Sequence, residues 1–161
     1  MQLRKVALGL AVIASLSALT ACGAGQTAAS RNISKVTDGA ETSVSTATSD
    51  LKLRGFLVVA QPDGNAVVVG TIVNDNANPD SLLGISVNGV LATITADSKV
   101  ISQSTPLIFE GDSANAKAVA PAVNVKAGST VEISFFFNTA GVVTIKAIAR
   151  DKRDTYAGVT S

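Results

Sequence analysis

Histidine and tryptophan are missing from this 161-residue chain, and cysteine and methionine occur once each, as Cys22 and Met1. Without histidine, neither a Ser-His-Asp nor a Cys-His catalytic arrangement can be assembled. Most zinc and copper sites lose their usual nitrogen ligand for the same reason. The chain also lacks G-x-x-x-x-G-K-[ST], a G-x-G-x-x-G following a strand, and G-x-S-x-G. These absences lead to the expectation of no enzyme and no cofactor. Aromatic residues make up only 4% of the chain, as five Phe and one Tyr, and the formal net charge is +1. With few rings to stack on bases or sugars and no basic patch, nucleic acid is not expected as a partner.

The N-terminus is the most informative segment present. Met1-Gln2-Leu3-Arg4-Lys5 carries two positive charges and leads into the apolar run Val6 to Ala14, which continues through Ser15 to Ala18. This run suits a signal peptide and falls short of the roughly 20 apolar residues that span a bilayer. It ends in Leu19-Thr20-Ala21-Cys22-Gly23, which resembles the lipobox of bacterial lipoproteins. That resemblance implies cleavage after Ala21 and a diacylglyceryl thioether on Cys22. Two acyl chains, at about 0.8 kcal/mol per buried methylene, hold a protein where one does so marginally. The sole cysteine has no disulfide partner, which favours the lipid reading. Residues 1–21 are therefore expected to be a signal peptide. Cys22 would tie the chain to the extracytoplasmic face of the cell membrane, and the sole methionine would leave with the leader.

Residues 22–49 are small and polar, with Ile33, Val36 and Val44 as their only larger apolar side chains, and read as a flexible tether. From Asp50 the texture changes. Leu51, Leu53, Gly55, Leu57 and Val59 alternate with Lys52, Arg54, Phe56 and Val58, which predicts a strand with a partly apolar second face. Pro62-Asp63-Gly64-Asn65 is a turn, and Ala66–Val73 is a β-branched strand. Leu82–Val87 and Leu91–Thr95 flank Asn88-Gly89, a hairpin signal. Shorter strands are expected at Val100–Ile101 and Leu107–Phe109. Val131, Ile133, Phe135 and Phe137 share one face of the strand Thr130–Phe137, and Val142–Arg150 follows after a turn. Short strands with turns every 8–12 residues and no helical period predict an all-β, antiparallel two-sheet sandwich over residues 50–150. Residues 151–161 read as a polar, frayed tail.

At this point the residues carry a resemblance. Thr71-Ile72-Val73-Asn74-Asp75, Pro79 to Ser86, Val125 to Phe135 and Ala140 to Ile145 are similar to segments of the periplasmic copper chaperone superfamily. With the lipobox and the small-residue linker, the chain most closely resembles actinobacterial lipoproteins of the LpqE type. The resemblance implies a cupredoxin- or immunoglobulin-like sandwich. It transfers no copper ligand, because the superfamily binds Cu(I) through His and Met. The segment in the corresponding place, after Ile108-Phe109-Glu110, reads Gly111-Asp112-Ser113-Ala114-Asn115-Ala116-Lys117.

Two further features offer sites. Asp75, Asn76, Asn78 and Asp80 supply carboxylate and amide oxygens suited to Ca²⁺; the competing reading is a loop whose side chains satisfy their own backbone. In Phe135-Phe136-Phe137 alternation turns Phe136 away from its neighbours. It then marks a contact surface, unless both faces are covered within the domain. The functional expectation is a membrane-anchored, non-catalytic lipoprotein whose sandwich binds an envelope protein or glycan. The alternative is a metal-handling or small-ligand-binding lipoprotein that uses oxygen ligands.

Overall fold

The computed structural model describes residues 38–161. Eleven strands make up almost all of the regular structure: β1 (Ala40–Ser45), β2 (Asp50–Ala60), β3 (Ala66–Asn74), β4 (Asp80–Val87), β5 (Val90–Leu91), β6 (Thr93–Ala96), β7 (Val100–Ile101), β8 (Leu107–Phe109), β9 (Ala116–Ala120), β10 (Thr130–Phe137) and β11 (Val142–Asp151). One layer is built from β1, β2, β3, β8, β9 and β6, and the other from β5, β4, β10 and β11, with β7 on the start of β4. The fold is all-β and sandwich-like, as the alternation predicts. Its ladders are antiparallel except for β8–β9 and the joint between the layers, where β11 runs parallel to β2 over Ala149–Asp151 and Val58–Ala60.

The core between the layers contains Leu51, Leu53, Phe56, Val58, Ile72, Phe109, Ile133 and Phe135, all 0% exposed. The ring of Phe56 meets Phe135 edge-on with centroids 4.6 Å apart and lies 6.2 Å from Phe109. Each such side chain contributes roughly 1.5–3 kcal/mol by leaving water.

Phe56 corrects the simple alternation expected for β2. The β2–β3 register shifts between Arg54 and Leu57, and Gly55 sits at φ +63. This bulge puts two consecutive residues opposite one and reverses the parity beyond it. Leu51 and Leu53 therefore share the main core with Phe56 and Val58. Leu57 and Val59 turn instead into a second cluster with Val67 and Val159.

The same cluster corrects the expectation of a frayed tail. Asp154–Tyr156 forms a single 3-10 turn, Val159 is 7% exposed, and the Gln61 side-chain amide donates to the Val159 carbonyl at 3.4 Å. The tether boundary moves as well. Ala40–Ser45, read as linker, pairs antiparallel with β2 from Val44↔Leu51 to Ala40↔Phe56.

The Asn88-Gly89 hairpin forms as expected, with φ of +48 and +82 and Val87 opposite Val90. The strand predicted over Leu91–Thr95 divides, however. Val90–Leu91 stays on β4, and Thr93–Ala96 crosses to pair with β9 in the other layer.

Candidate functional site

Of the residues singled out in the sequence, Leu19, Thr20, Ala21 and Cys22 lie outside the described residues. The four calcium candidates lie around the start of β4, where Asp75, Asn76 and Asp80 each turn side-chain oxygens to a different partner. Asp75 forms an ion pair with Lys52. The Asn76 side-chain oxygen accepts the Asn78 amide at 2.9 Å, and Asn78 gives its carbonyl to the Asn74 side-chain amide at 2.9 Å. Asn74 itself is 1% exposed; it also accepts the Asn76 amide at 2.9 Å and donates to the Ile101 carbonyl at 3.0 Å. These contacts belong to a loop that satisfies its own backbone.

Asp80 is 3% exposed, and its carboxylate is filled by the chain. Oδ1 accepts the amides of Ser81 and Thr139 at 2.7 and 2.8 Å, and Oδ2 accepts the Ala140 amide at 2.9 Å and the Ser49 hydroxyl at 3.4 Å. Burial pushes its pKa up, but the amides of Thr139, Ser81 and Ala140, helped by the Thr139 side chain, outweigh burial and hold it below the ordinary value. Asp80 thus ties the β10–β11 turn to the start of β4.

The segment standing where the resemblance puts copper ligands is the β8–β9 loop. Asn115 closes it, accepting the Ile108 amide at 2.9 Å and donating to the Pro106 carbonyl at 2.8 Å. Glu110 and Asp112 line a shallow cleft of about 320 Å³ with Thr155 and Val159. Glu110 and Asp97 line a second cleft of about 360 Å³ with Lys117. Every side-chain donor among the lining residues is an oxygen, apart from Lys117 and the Asn115 amide. Among the described residues no three His, Cys, Asp or Glu side chains are grouped to hold a metal ion. Cu(I) prefers thiolate, thioether and imidazole, and residues 38–161 contain none of these. The residues present do not fit a Cu(I) site.

The outer face of the β4–β10–β11 layer is different in character. Phe135 and Phe137 are buried in the core, and Phe136 turns the other way and is half-buried. It stands opposite Gly84 on one side and Val142 on the other. The register between β10 and β4 shifts at Phe136/Phe137, which leaves Leu83 as an extra residue that projects outward. Leu83 is 61% exposed, Val142 64%, Leu91 68% and Val100 46%; these are the exposed large hydrophobics among the described residues. Leu91 pairs with Ser86, which pairs with Ser134, which pairs with Thr144; Val100 pairs with Ser81. All four therefore border one sheet face on which the hydroxyls of Ser86, Ser134 and Thr144 stand beside them and the Glu132–Lys146 pair follows one row further on. Phe136 is legible from alternation alone. Leu83 is not, because nothing in Leu82-Leu83-Gly84 announces which residue the bulge will expel.

No protein-family model matches the chain, and no curated protein matches it either. Among solved structures it is similar to the copper-bound PCuAC domain from PmoF2, at 17% identity and a TM-score of 0.55, over 68% of this chain and 98% of that one. It is similar to the apo PCuAC domain from PmoF1, at 21% and 0.54, over 68% and 99%. The apo PmoF2 PCuAC domain gives 16% and 0.56, over 70% and 98%. At these identities the likeness is one of fold: the chain carries an all-β domain built like a PCuAC domain.

Proposed function

We propose that this chain is a non-catalytic binding lipoprotein, a copper-chaperone-like scaffold held at a membrane by Cys22, whose working surface is a contact face for an envelope component. The observation that carries the reading is the collection of Leu83, Leu91, Val100 and Val142 around Phe136 at one end of a sheet face, in rows that hold no charged side chain. Scattered exposed hydrophobics need no explanation, whereas a contiguous patch signals contact.

The second reading is metal handling, and the fold likeness favours it, since the similar structures are copper-chaperone domains. It would have to work through oxygen donors such as Asp97, Glu110 and Asp112, or through ligands from a partner. The chemistry of those donors weighs against Cu(I), which leaves the contact reading ahead.

Thermal unfolding of the chain from Cys22 onward, with Cu(I), Cu(II), Zn²⁺ and Ca²⁺ in turn, separates the two. A ligand at 100 times its dissociation constant adds about 2.7 kcal/mol to the folded state. An unchanged melting temperature with every ion is the expected result. A rise of several degrees with copper would overturn the contact reading and restore the chaperone one.

A further inference from the structure

We propose that the apolar face of the β4–β10–β11 layer seats the domain on the lipid surface to which Cys22 ties it, so that β11 lies along the bilayer rather than standing off it. This deepens the contact reading above and rests on it.

The register defines the face. One row runs Gly84, Phe136, Val142 with Leu83 beside it, and the next runs Leu91, Ser86, Ser134, Thr144. The hydroxyls of Ser134 and Thr144 hydrogen-bond each other at 2.9 Å. No charged side chain belongs to either row. Charge begins one row further on with Glu132 opposite Lys146, and Lys99 adjoins Val100 at the other border. Aliphatic side chains can therefore enter the head-group boundary without stripping water from an ion, and long lysine stems at the rim let their ammonium groups remain wet.

The size of the patch points to a lipid surface over a protein. It amounts to something on the order of 400 Å², within the range of the largest patch on a monomer. A stable protein complex takes about 800 Å² from each partner. A face this small holds poorly to anything met by diffusion. It suffices against a surface already in reach, because the tether makes the second contact an intramolecular event.

Chain length permits it. Fifteen residues lie between Cys22 and Asp38, a length of chain that can reach at most about 55 Å. Asp38 is fixed to Arg150 at 2.9 Å, at the far end of the strand that begins with Val142. Eight residues of strand cover about 26 Å, which is less than that reach, so the length of chain does not keep β11 from the membrane.

The composition supplies the test. The chain has one cysteine and no tryptophan. The chain from Cys22 onward is coupled through its thiol to a maleimide lipid in phosphatidylcholine–phosphatidylglycerol vesicles containing brominated acyl chains. A single reporter is introduced as Val142→Trp or Leu83→Trp on the face, or as Thr95→Trp on the other layer. The expected result is fluorescence quenching several-fold greater at 142 and 83 than at 95, with the difference lost when Leu91→Ser and Phe136→Ser are added. Equal quenching at all three positions would overturn the proposal. So would a dimer in sedimentation of the uncoupled chain that Leu83→Asp dissolves, because the face would then belong to a second copy. Chemical coupling provides the anchor, so failure here is failure of the seating alone. Whether Cys22 is acylated in cells is read separately from the mass of its peptide.

Discussion

The amide of Thr139 donates to Oδ1 of Asp80 at 2.8 Å across 59 residues of sequence, and the neighbouring Ala140 amide donates to Oδ2 at 2.9 Å. A buried carboxylate here closes a turn, replacing backbone partners that the β10–β11 loop lacks. Removing it leaves two part-buried amides without their acceptor, and a buried group left unpaired costs about 1–3 kcal/mol. Asp80→Ala is expected to lower stability by about 3 kcal/mol in urea unfolding. Asp80→Asn should lose somewhat less, because one oxygen survives while the new amide group faces a donor.

Asp80 also sets a pH dependence. Its pKa is lower in the folded chain than its ordinary value, so its stabilising effect is present above the unfolded pKa. That effect is lost as the pH falls through the folded one. Unfolding measured from pH 6 downward should show a loss of stability in the acid range that Asp80→Asn flattens. An unchanged profile in the variant would mean that another carboxylate governs acid unfolding.

Gly70 lies against the ring of Phe56, and a Cβ placed there would fall 2.5 Å from Cδ1 in a backbone at φ +147. Gly70→Ala is therefore expected to destabilise by about 2–3 kcal/mol, within the range for overpacking a filled core. Phe56→Leu in the same chain should recover part of that loss, since it removes the obstructing ring. A double mutant no better than the sum of the singles would show that backbone strain, and not the ring, sets the cost.

These two contacts mark where the sequence is readable and where it stops. Alternation in Thr130–Phe137 places Val131, Ile133, Phe135 and Phe137 inside without further information, and Asn88-Gly89 marks its own turn. Gly55 is visible as a glycine in a strand, but its bulge is not. The reversal of parity that sends Phe56 inward therefore escapes a period-2 reading. The division of Leu91–Thr95 is equally hidden, because crossing between layers is decided by β9 as a partner for Thr93–Ala96. The polar look of Asp151–Ser161 conceals Val159, whose neighbours Leu57, Val59 and Val67 are distant in sequence. Of the contact face, Phe136 follows from local pattern. Leu83 and Val142 join it only through register.

Val159 provides a direct measure of how firmly the C-terminal segment is held. It is 7% exposed within a small cluster formed with Leu57, Val59 and Val67. Val159→Ala should cost about 1–2 kcal/mol, the transfer free energy of its lost methyl groups plus a small cavity. Val159→Asp should cost more, because it buries a carboxylate among aliphatics. A frayed tail would tolerate both within about 0.5 kcal/mol, as surface substitutions do. Equilibrium unfolding of the two variants decides between a docked segment and a loose one.

Cys22→Ser tests the anchor and separates it from the fold. The thiol precedes the first described residue by sixteen positions, and among the described residues every strand begins at or after Ala40. The substitution should leave the melting temperature unchanged. It should also move the protein from the membrane to the soluble fraction, since two acyl chains at about 0.8 kcal/mol per buried methylene would have supplied the attachment. The exposed face adds a few side chains at about 1.5–3 kcal/mol each when fully buried, and less when only partly inserted. Without the tether it also pays the full entropic cost of association. Release should therefore be nearly complete even if the face touches lipid in the anchored protein. Retention of Cys22→Ser in the membrane fraction would require a second attachment stronger than this face can give.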